Sequence, residues 1–232
     1  MRAFLLAAGL GTRLRPLTDR VPKCMVPIGG QPLLEIWLQS LARADVDQVL
    51  VNVHYLPEAV TSYVAGRSGL PEVVTVFEPR LLGSAGTLLA NREWAGDDPF
   101  LACYADNLTD FDLRLLLDAH QQSGLPATIA AFRTDRPSHC GILGTDSSGV
   151  MTSFIEKPLH PESDLANAGL YVFSPEALDL VAGPPPKDIG FDLLPKLVGR
   201  ARVVRVGGYF RDIGDPDAYQ RAQVEWLEKV AW

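Results

Sequence analysis

The groups in this chain best suited to chemistry are two aspartates and a cluster of basic residues beside a glycine-spaced turn. The run "AFLLAAGLGTRLRPLT" (residues 3–18) is an apolar segment that stops at Gly9, with Gly11, Thr12, Arg13 and Arg15 after it and Lys23 in the same long loop. Glycines there let backbone N–H groups approach an anion, and the basic side chains add fixed positive charge. The carboxyl end of a strand is also the usual place for a ligand in an α/β sheet. From the glycines alone, an ordinary tight turn followed by a solvated basic stretch fits equally well. Two familiar phosphate motifs are excluded. The dinucleotide fingerprint needs glycine where Leu14 stands, and no G-x-x-x-x-G-K-[ST] string occurs. Asp106 follows the buried run 99–105 in "CYADNLTDFD", and Asp212 lies in "GGYFRDIGDPDAY". An aspartate after a strand, next to a phosphate loop, is a natural Mg²⁺ ligand, because that ion takes one or two carboxylates plus waters and phosphate oxygens. A turn-forming Asp-Asn pair or a helix cap is an equally good local reading of Asp106. Asp110 and Asp112 suit capping of the helix that follows, and Asp215 and Asp217 the start of the last helix.

The elements that must hold these groups alternate. "AFLLAA", "QVLVNV", "VVTVF" and "PFLACYA" read as strands, with helices at "QPLLEIWLQSLARA", Pro57–Ala65, Ala85–Asn91 and Leu113–Gln122 between or after them. That alternation predicts crossover units, a mostly parallel sheet and an α/β fold. After Ala127 the pattern turns β-rich: "ATIAAF", "GILGTD", "VMTSFIE" and "AGLYVFS" predict an insertion near the sheet's edge. Helices are expected again at Pro175–Val181, Phe191–Val198 and Asp215–Lys229, and "GPPPK" (183–187) reads as a rigid surface turn.

The formal net charge of -7 over 232 residues argues against a general nucleic-acid binder, so any anionic ligand must be met by a local basic cluster. No apolar run approaches the roughly eighteen residues of a membrane span. The apolar N-terminus leads straight into Gly11 and Arg13 without a cleavage segment, which favours a cytoplasmic protein. Cys24, Cys103 and Cys140 lack zinc or disulfide spacing, and the four histidines show no metal pattern.

The string "LLAAGLGTRLRPLTDRVPKCMVPIGGQPLLE" resembles the signature of the sugar-1-phosphate nucleotidyltransferases, G-x-G-T-R-x-x-P-x-T followed by P-K. Gly9, Gly11, Thr12, Arg13, Pro16, Thr18, Pro22 and Lys23 fall in place, and Cys24 stands where the family usually has proline. The resemblance implies one nucleotidyltransferase domain over 1–232 with a Rossmann-like mixed sheet, residues 1–125 mainly binding nucleotide and 126–232 mainly sugar phosphate. It implies that Leu6, Ala7, Ala8, Gly9, Gly11 and Thr12 wrap a nucleotide triphosphate whose charge Arg13 and Lys23 neutralise. Asp106 and Asp212 match the family's Mg²⁺ ligands, the second in its W/F-x-D-I-G-T/D-P-x-x-Y string. "LLGSAGTLL" resembles a segment lining the nucleobase pocket, which assigns Gly83, Ser84 and Gly86 to the nucleotide; Ser84 as a helix cap is the plainer reading. "SFIEKP" and "NAGLYVF" carry Glu156, Lys157, Asn167 and Gly169 onto the acceptor sugar phosphate, with Asn107 and Gly141 beside them. The reaction implied joins an NTP and a sugar 1-phosphate into an NDP-sugar and pyrophosphate, GTP with mannose or heptose 1-phosphate being the nearest subgroup. A thymidylyl- or uridylyltransferase, or a silent nucleotide-sugar sensor, are the alternatives. Small molecules are the expected partners, with neither nucleic acid nor membrane, in a monomer or homodimer without the β-helix domain of longer members.

Overall fold

The computed structural model describes residues 1–230. Strand β1 (Arg2–Leu6) leads into the long loop, which closes on the short strands β2 (Pro27–Ile28) and β3 (Gln31–Pro32) before helix α1 (Leu33–Arg43). Then come β4 (Gln48–Val53), α2 (Pro57–Ala65), β5 (Glu72–Phe77), α3 (Ser84–Ala90), α4 (Arg92–Ala95), β6 (Phe100–Tyr104), β7 (Asn107–Thr109) and α5 (Leu113–Ser123). The β-rich part follows as β8 (Ala127–Arg133), β9 (Gly141–Thr145), β10 (Met151–Glu156) and β11 (Leu165–Phe173). The chain closes with β12 (Ala201–Arg205), β13 (Phe210–Asp212) and α6 (Pro216–Val230). The result is an α/β fold with a mixed sheet flanked by helices. Among the described residues no helix is long and apolar enough to cross a membrane.

The chain divides into two compact units, each discontinuous in sequence. One comprises Met1–Phe4, Leu82–Cys103 and Asp112–Gly207; the other comprises Leu5–Leu81, Tyr104–Phe111 and the chain from Gly208 on. In the first unit β11 is the organising strand, antiparallel to β6, β8 and β9, and β12 runs parallel to β8. Its core includes Phe100, Tyr171 and Phe173, all 0% exposed, with Tyr171 and Phe173 stacked at 5.2 Å. His120 is buried here, 3.1 Å from Thr128 Oγ1 and 3.2 Å from Ser174 Oγ, and burial lowers its pKa. It is a core histidine.

In the second unit β4 and β5 pair in parallel from Gln48↔Glu72 to Val53↔Phe77. Helix α1 buries Leu33, Leu34, Trp37, Leu38 and Leu41, a three-and-four spacing that gives one apolar face. The short ladder β7–β13 joins residues a hundred positions apart, Asp212 opposite Asn107. Helix α6 clasps this ladder: the Arg211 guanidinium donates to both Glu225 oxygens at 2.8 and 2.7 Å, and Tyr219 Oη donates to the Pro27 carbonyl.

Several expectations need correction. The regions 175–181 and 191–198 are not α-helices but 3₁₀ turns at Pro175–Leu180 and Leu194–Leu197 around a π turn at Ile189–Leu193. Pro195 lacks the N–H that a regular helix there needs, and Gly190 weakens it further. Asp112 does cap α5, accepting from Arg114 N, whereas Asp110 accepts from Tyr209 N and pairs with Lys229. Asp215 caps α6 through Ala218 N. Ser84 is no cap, because Gly83 holds that position.

Gly83 lies at φ 77°, and a Cβ there would sit 2.2 Å from the Lys187 carbonyl oxygen. Both the backbone conformation and the contact demand glycine. Gly83→Ala is expected to lower stability by roughly 2–4 kcal/mol in urea unfolding. Gly86→Ala, whose new carbon would meet side-chain and backbone atoms at 3.2 to 3.6 Å, is expected to cost less than half as much.

Candidate active site

In the second unit, β1 ends at Leu6, whose carbonyl accepts from Ala105 N, so the glycine turn and the Asp106 segment are tied at their roots. Ala7 N donates to Asn52 Oδ1 at 2.7 Å, and Asn52 Nδ2 donates to Glu78 Oε1 at 2.9 Å. Asn52 and Glu78 are 4% and 2% exposed, and the Glu78 carbonyl lies 2.7 Å from His54 Nδ1. This buried polar chain holds the first residues of the loop from the ends of β4 and β5. It lies outside the residues that the sequence motifs single out. The signal was present: "NVH" and "FEP" put polar residues where two apolar strands run out.

The loop is not structureless. Three single 3₁₀ turns, Thr12–Leu14, Leu17–Asp19 and Lys23–Met25, fold it back on itself. Gly11 has φ 63°, and Thr18, 1% exposed, donates from Oγ1 to the Gly11 carbonyl at 2.8 Å. A Cβ on Gly11 would meet Thr18 Cγ2 at 3.0 Å, whereas nothing lies within 4 Å of one on Gly9. Gly11 therefore shapes the turn and Gly9 leaves its outer side open. Arg15 departs from expectation, since it pairs with Asp19 at 3.1 Å on the surface and its charge is already offset.

Lys23 gathers the acidic groups. Its Nζ stands 2.9 Å from Asp106 Oδ2 and 3.5 Å from Asp212 Oδ1. The two carboxylates, remote in sequence, thus share one ammonium. Ile213 N donates to the Asp106 carbonyl, locking the two segments together. Arg13 is near as well: a Cβ on Gly214 would lie 3.1 Å from Asp212 Oδ2 and 3.4 Å from an Arg13 guanidinium nitrogen. Partial desolvation pushes the Asp212 carboxyl up, Lys23 and Arg13 pull it down and Asp106 pushes it up, with a net rise. Asn107, expected on the acceptor side, lies in this unit opposite Asp212, and its carbonyl accepts from buried Trp37 Nε1 at 2.8 Å. Burial pushes the Cys24 thiol up to about 12, so it stays protonated and is no nucleophile.

Among the described residues no group of three or more His, Cys, Asp and Glu side chains could hold a metal ion. The donor set is two carboxylates. That set fits a Mg²⁺ ion which keeps waters and takes phosphate oxygens for the rest of its shell.

The remaining predicted residues lie in the first unit. Gly83, Ser84 and Gly86 pack against Lys187–Ile189: Gly86 N donates to the Lys187 carbonyl, and Ser84 Oγ donates to Asp188 Oδ2 and accepts from Ile189 N. Asp188 also accepts from Gly190 N at 2.7 Å. Gly190 in turn clears space for Glu156, as a Cβ there would lie 2.5 Å from Glu156 Oε2, and one on Gly141 would lie 2.6 Å from it. Burial raises the Glu156 pKa, Lys157 opposes it and Asp188 adds to it. Lys157 is held at φ 48° with its N–H on the Cys140 carbonyl, while its side chain is 60% exposed. A lysine in the left-handed region is strained, and such strain clusters at functional positions. Asn167 sits at the β11 irregularity, donating to Tyr171 Oη at 2.7 Å and accepting from Gly169 N at 3.0 Å. Ala166 pairs with Ile142, which puts Asn167 one ladder step away, opposite Gly141. The sequence does not mark Asp188 and Gly190 as site residues, because their partners Ser84 and Glu156 are remote in the chain.

The nucleotidyl transferase family profile matches residues 2–229. A UTP–glucose-1-phosphate uridylyltransferase of Synechocystis sp. is 37% identical over 85% of this chain and 55% of its own length. The mannose-1-phosphate guanyltransferase of Debaryomyces hansenii is 33% identical over 100% of this chain and 66% of its own length. The chain thus spans less than two thirds of the curated relatives it matches. The crystal structure of HddC from Yersinia pseudotuberculosis superposes with a TM-score of 0.81 at 24% identity, over 97% of this chain and 99% of that one, which is a likeness of fold. With its glycine turn, arginine, lysine and two aspartates in the order described, the chain belongs to the nucleotidyl transferase family.

Proposed function

We propose that this chain transfers a nucleotidyl group from an NTP to a sugar 1-phosphate and releases pyrophosphate. The observation that carries this reading is the meeting of Asp106 and Asp212 at one ammonium beside the glycine turn. Each group then has a role. The segment from Leu6 to Thr12 wraps the triphosphate, with Ala7 N held by Asn52 and the N–H groups beyond it turned to the phosphates, and Arg13 and Lys23 offset its charge. Asp106 and Asp212 would hold Mg²⁺, which when bound offsets the negative charge on the phosphates. Lys157 receives the acceptor's phosphate, while Glu156 and Asn167 take hydrogen bonds from sugar hydroxyls near Gly141 and Gly169. Gly83, Ser84 and Gly86 belong to the nucleobase side. The acceptor phosphate is already a nucleophile near neutral pH, so no general base is required. Rate then comes from positioning and from cations set where charge gathers.

For the substrates we propose GTP with mannose 1-phosphate or a related heptose 1-phosphate, in line with the name of the Debaryomyces hansenii relative. The 37% identity to a uridylyltransferase supports a second reading, UTP with glucose 1-phosphate, built on the same phosphate and carboxylate groups.

Pyrophosphate release from four NTPs against a panel of sugar 1-phosphates tests the reading. The highest kcat/KM is expected for GTP with a mannose-type acceptor, and silence across the panel would remove the enzymatic proposal. Asp106→Asn is expected to lower kcat by roughly 10²-fold or more at a nearly unchanged melting temperature. Lys157→Gly should separate stability from activity. Relief of its left-handed backbone is expected to raise stability by about 0.5–1 kcal/mol. The acceptor KM should meanwhile rise about tenfold or more for loss of the phosphate partner. Equal acceptor KM values in the two proteins would remove Lys157 from the acceptor site.

A further inference from the structure

We propose that Lys23 is an internal counter-ion that keeps the Asp106–Asp212 pair closed to divalent cations until an anionic ligand draws its ammonium away. The inference rests on the reading of this pair as a metal site and adds an order of binding to it.

The ammonium is the most enclosed member of the cluster. The Lys23 side chain is 10% exposed, whereas those of Asp106 and Asp212 are 43% and 54% exposed. It contacts an oxygen of each carboxylate, at 2.9 and 3.5 Å. A divalent ion held by both carboxylates must therefore displace a fixed positive charge or sit against it, and either reduces its affinity. Without that ammonium, two neighbouring carboxylates would be left to repel each other. The ammonium thus satisfies both carboxylates, at the expense of their hold on metal.

The release is built into the same residue. Lys23 follows Pro22 on a one-turn 3₁₀ segment whose backbone is anchored, with Met25 N donating to the Pro22 carbonyl and Cys24 2% exposed. Movement of the ammonium therefore falls to the side-chain stem. That stem packs under the glycine turn, where a Cβ on Gly11 would lie 3.4 Å from Lys23 Cβ. An anion lodged on the turn's N–H groups competes with the carboxylates for the ammonium without movement of the backbone. Loss of the ammonium to the anion exposes the carboxylate pair to the cation, so anion and cation bind in a coupled way.

Mn²⁺ binding to the full chain without nucleotide, followed by electron paramagnetic resonance, tests this. Lys23→Met and Lys23→Gln are expected to bind Mn²⁺ about tenfold or more tightly than the wild type, and Lys23→Arg no more tightly. Adding Asp106→Asn should abolish the gain. Melting temperature gives an independent readout. Lys23→Met is expected to melt below the wild type in chelator and to recover with Mn²⁺, as the metal takes over the role of counter-ion. If neither uncharged variant folds in chelator, recovery of its far-ultraviolet circular dichroism with Mn²⁺ counts for the proposal, and failure to recover counts against it. Equal or weaker Mn²⁺ binding by the folded Met and Gln variants overturns the interlock. If Asp106→Asn still weakens Mn²⁺ binding in that case, the metal reading stands alone. Binding indifferent to Asp106 in every form overturns both.

Discussion

Two carboxylates brought side by side repel unless a cation joins them, and that constraint governs the second unit. Asp106 and Asp212 come from segments about a hundred residues apart, and neither segment makes a site alone. The β7–β13 ladder aligns them, Ile213 N fixes the register at the Asp106 carbonyl, and Lys23 supplies the charge between them. The surrounding packing acts on this ladder. Trp37, buried on α1, donates to Asn107, and the Arg211–Glu225 pair fastens β13 to α6. Partly exposed ion pairs contribute little to stability. The value of the second pair lies in fixing where Asp212 stands.

The first unit answers a different demand, that of seating a carboxylate in a crowded place. Glu156 fits because Gly141 and Gly190 present no Cβ, and Gly190 is held there by Asp188, itself bound to Ser84. Gly83 serves the same seam by admitting the Lys187 backbone. The residues assigned from sequence to nucleobase and to sugar therefore share one support, the Lys187–Gly190 segment, with the strained Lys157 beside its carboxylate.

Much of this was legible in the sequence because it depends on local rules. Short apolar and β-rich runs mark β1, β4, β5, β6 and β8–β11, and the three-and-four spacing of Leu33 to Leu41 marks α1. Other features were not. The residues 175–181 and 191–198 have helical composition, yet Pro195 breaks the second stretch, which divides between the end of a π turn and a 3₁₀ turn. The two- and three-residue strands β2, β3, β7 and β13 are too short to carry a period. Nothing local gives Asn52 and Glu78 their partners, since the bond from Ala7 N to Asn52, which Glu78 orients, depends on β1 lying in the sheet beside β4. Ser84 and Asp110 carried the composition of caps but were claimed by partners roughly a hundred positions away.

Asp212 follows Asp106 by about a hundred residues, which has a consequence for biosynthesis. Lys23 and Asp106 are both made before strand β13 and its clasp, α6. The second acidic group therefore arrives after the first, and until it does a nascent chain carries an incomplete cation cradle. A truncated product ending before β13 would keep the arginine-bearing turn yet lack half of the pair that gives it a purpose.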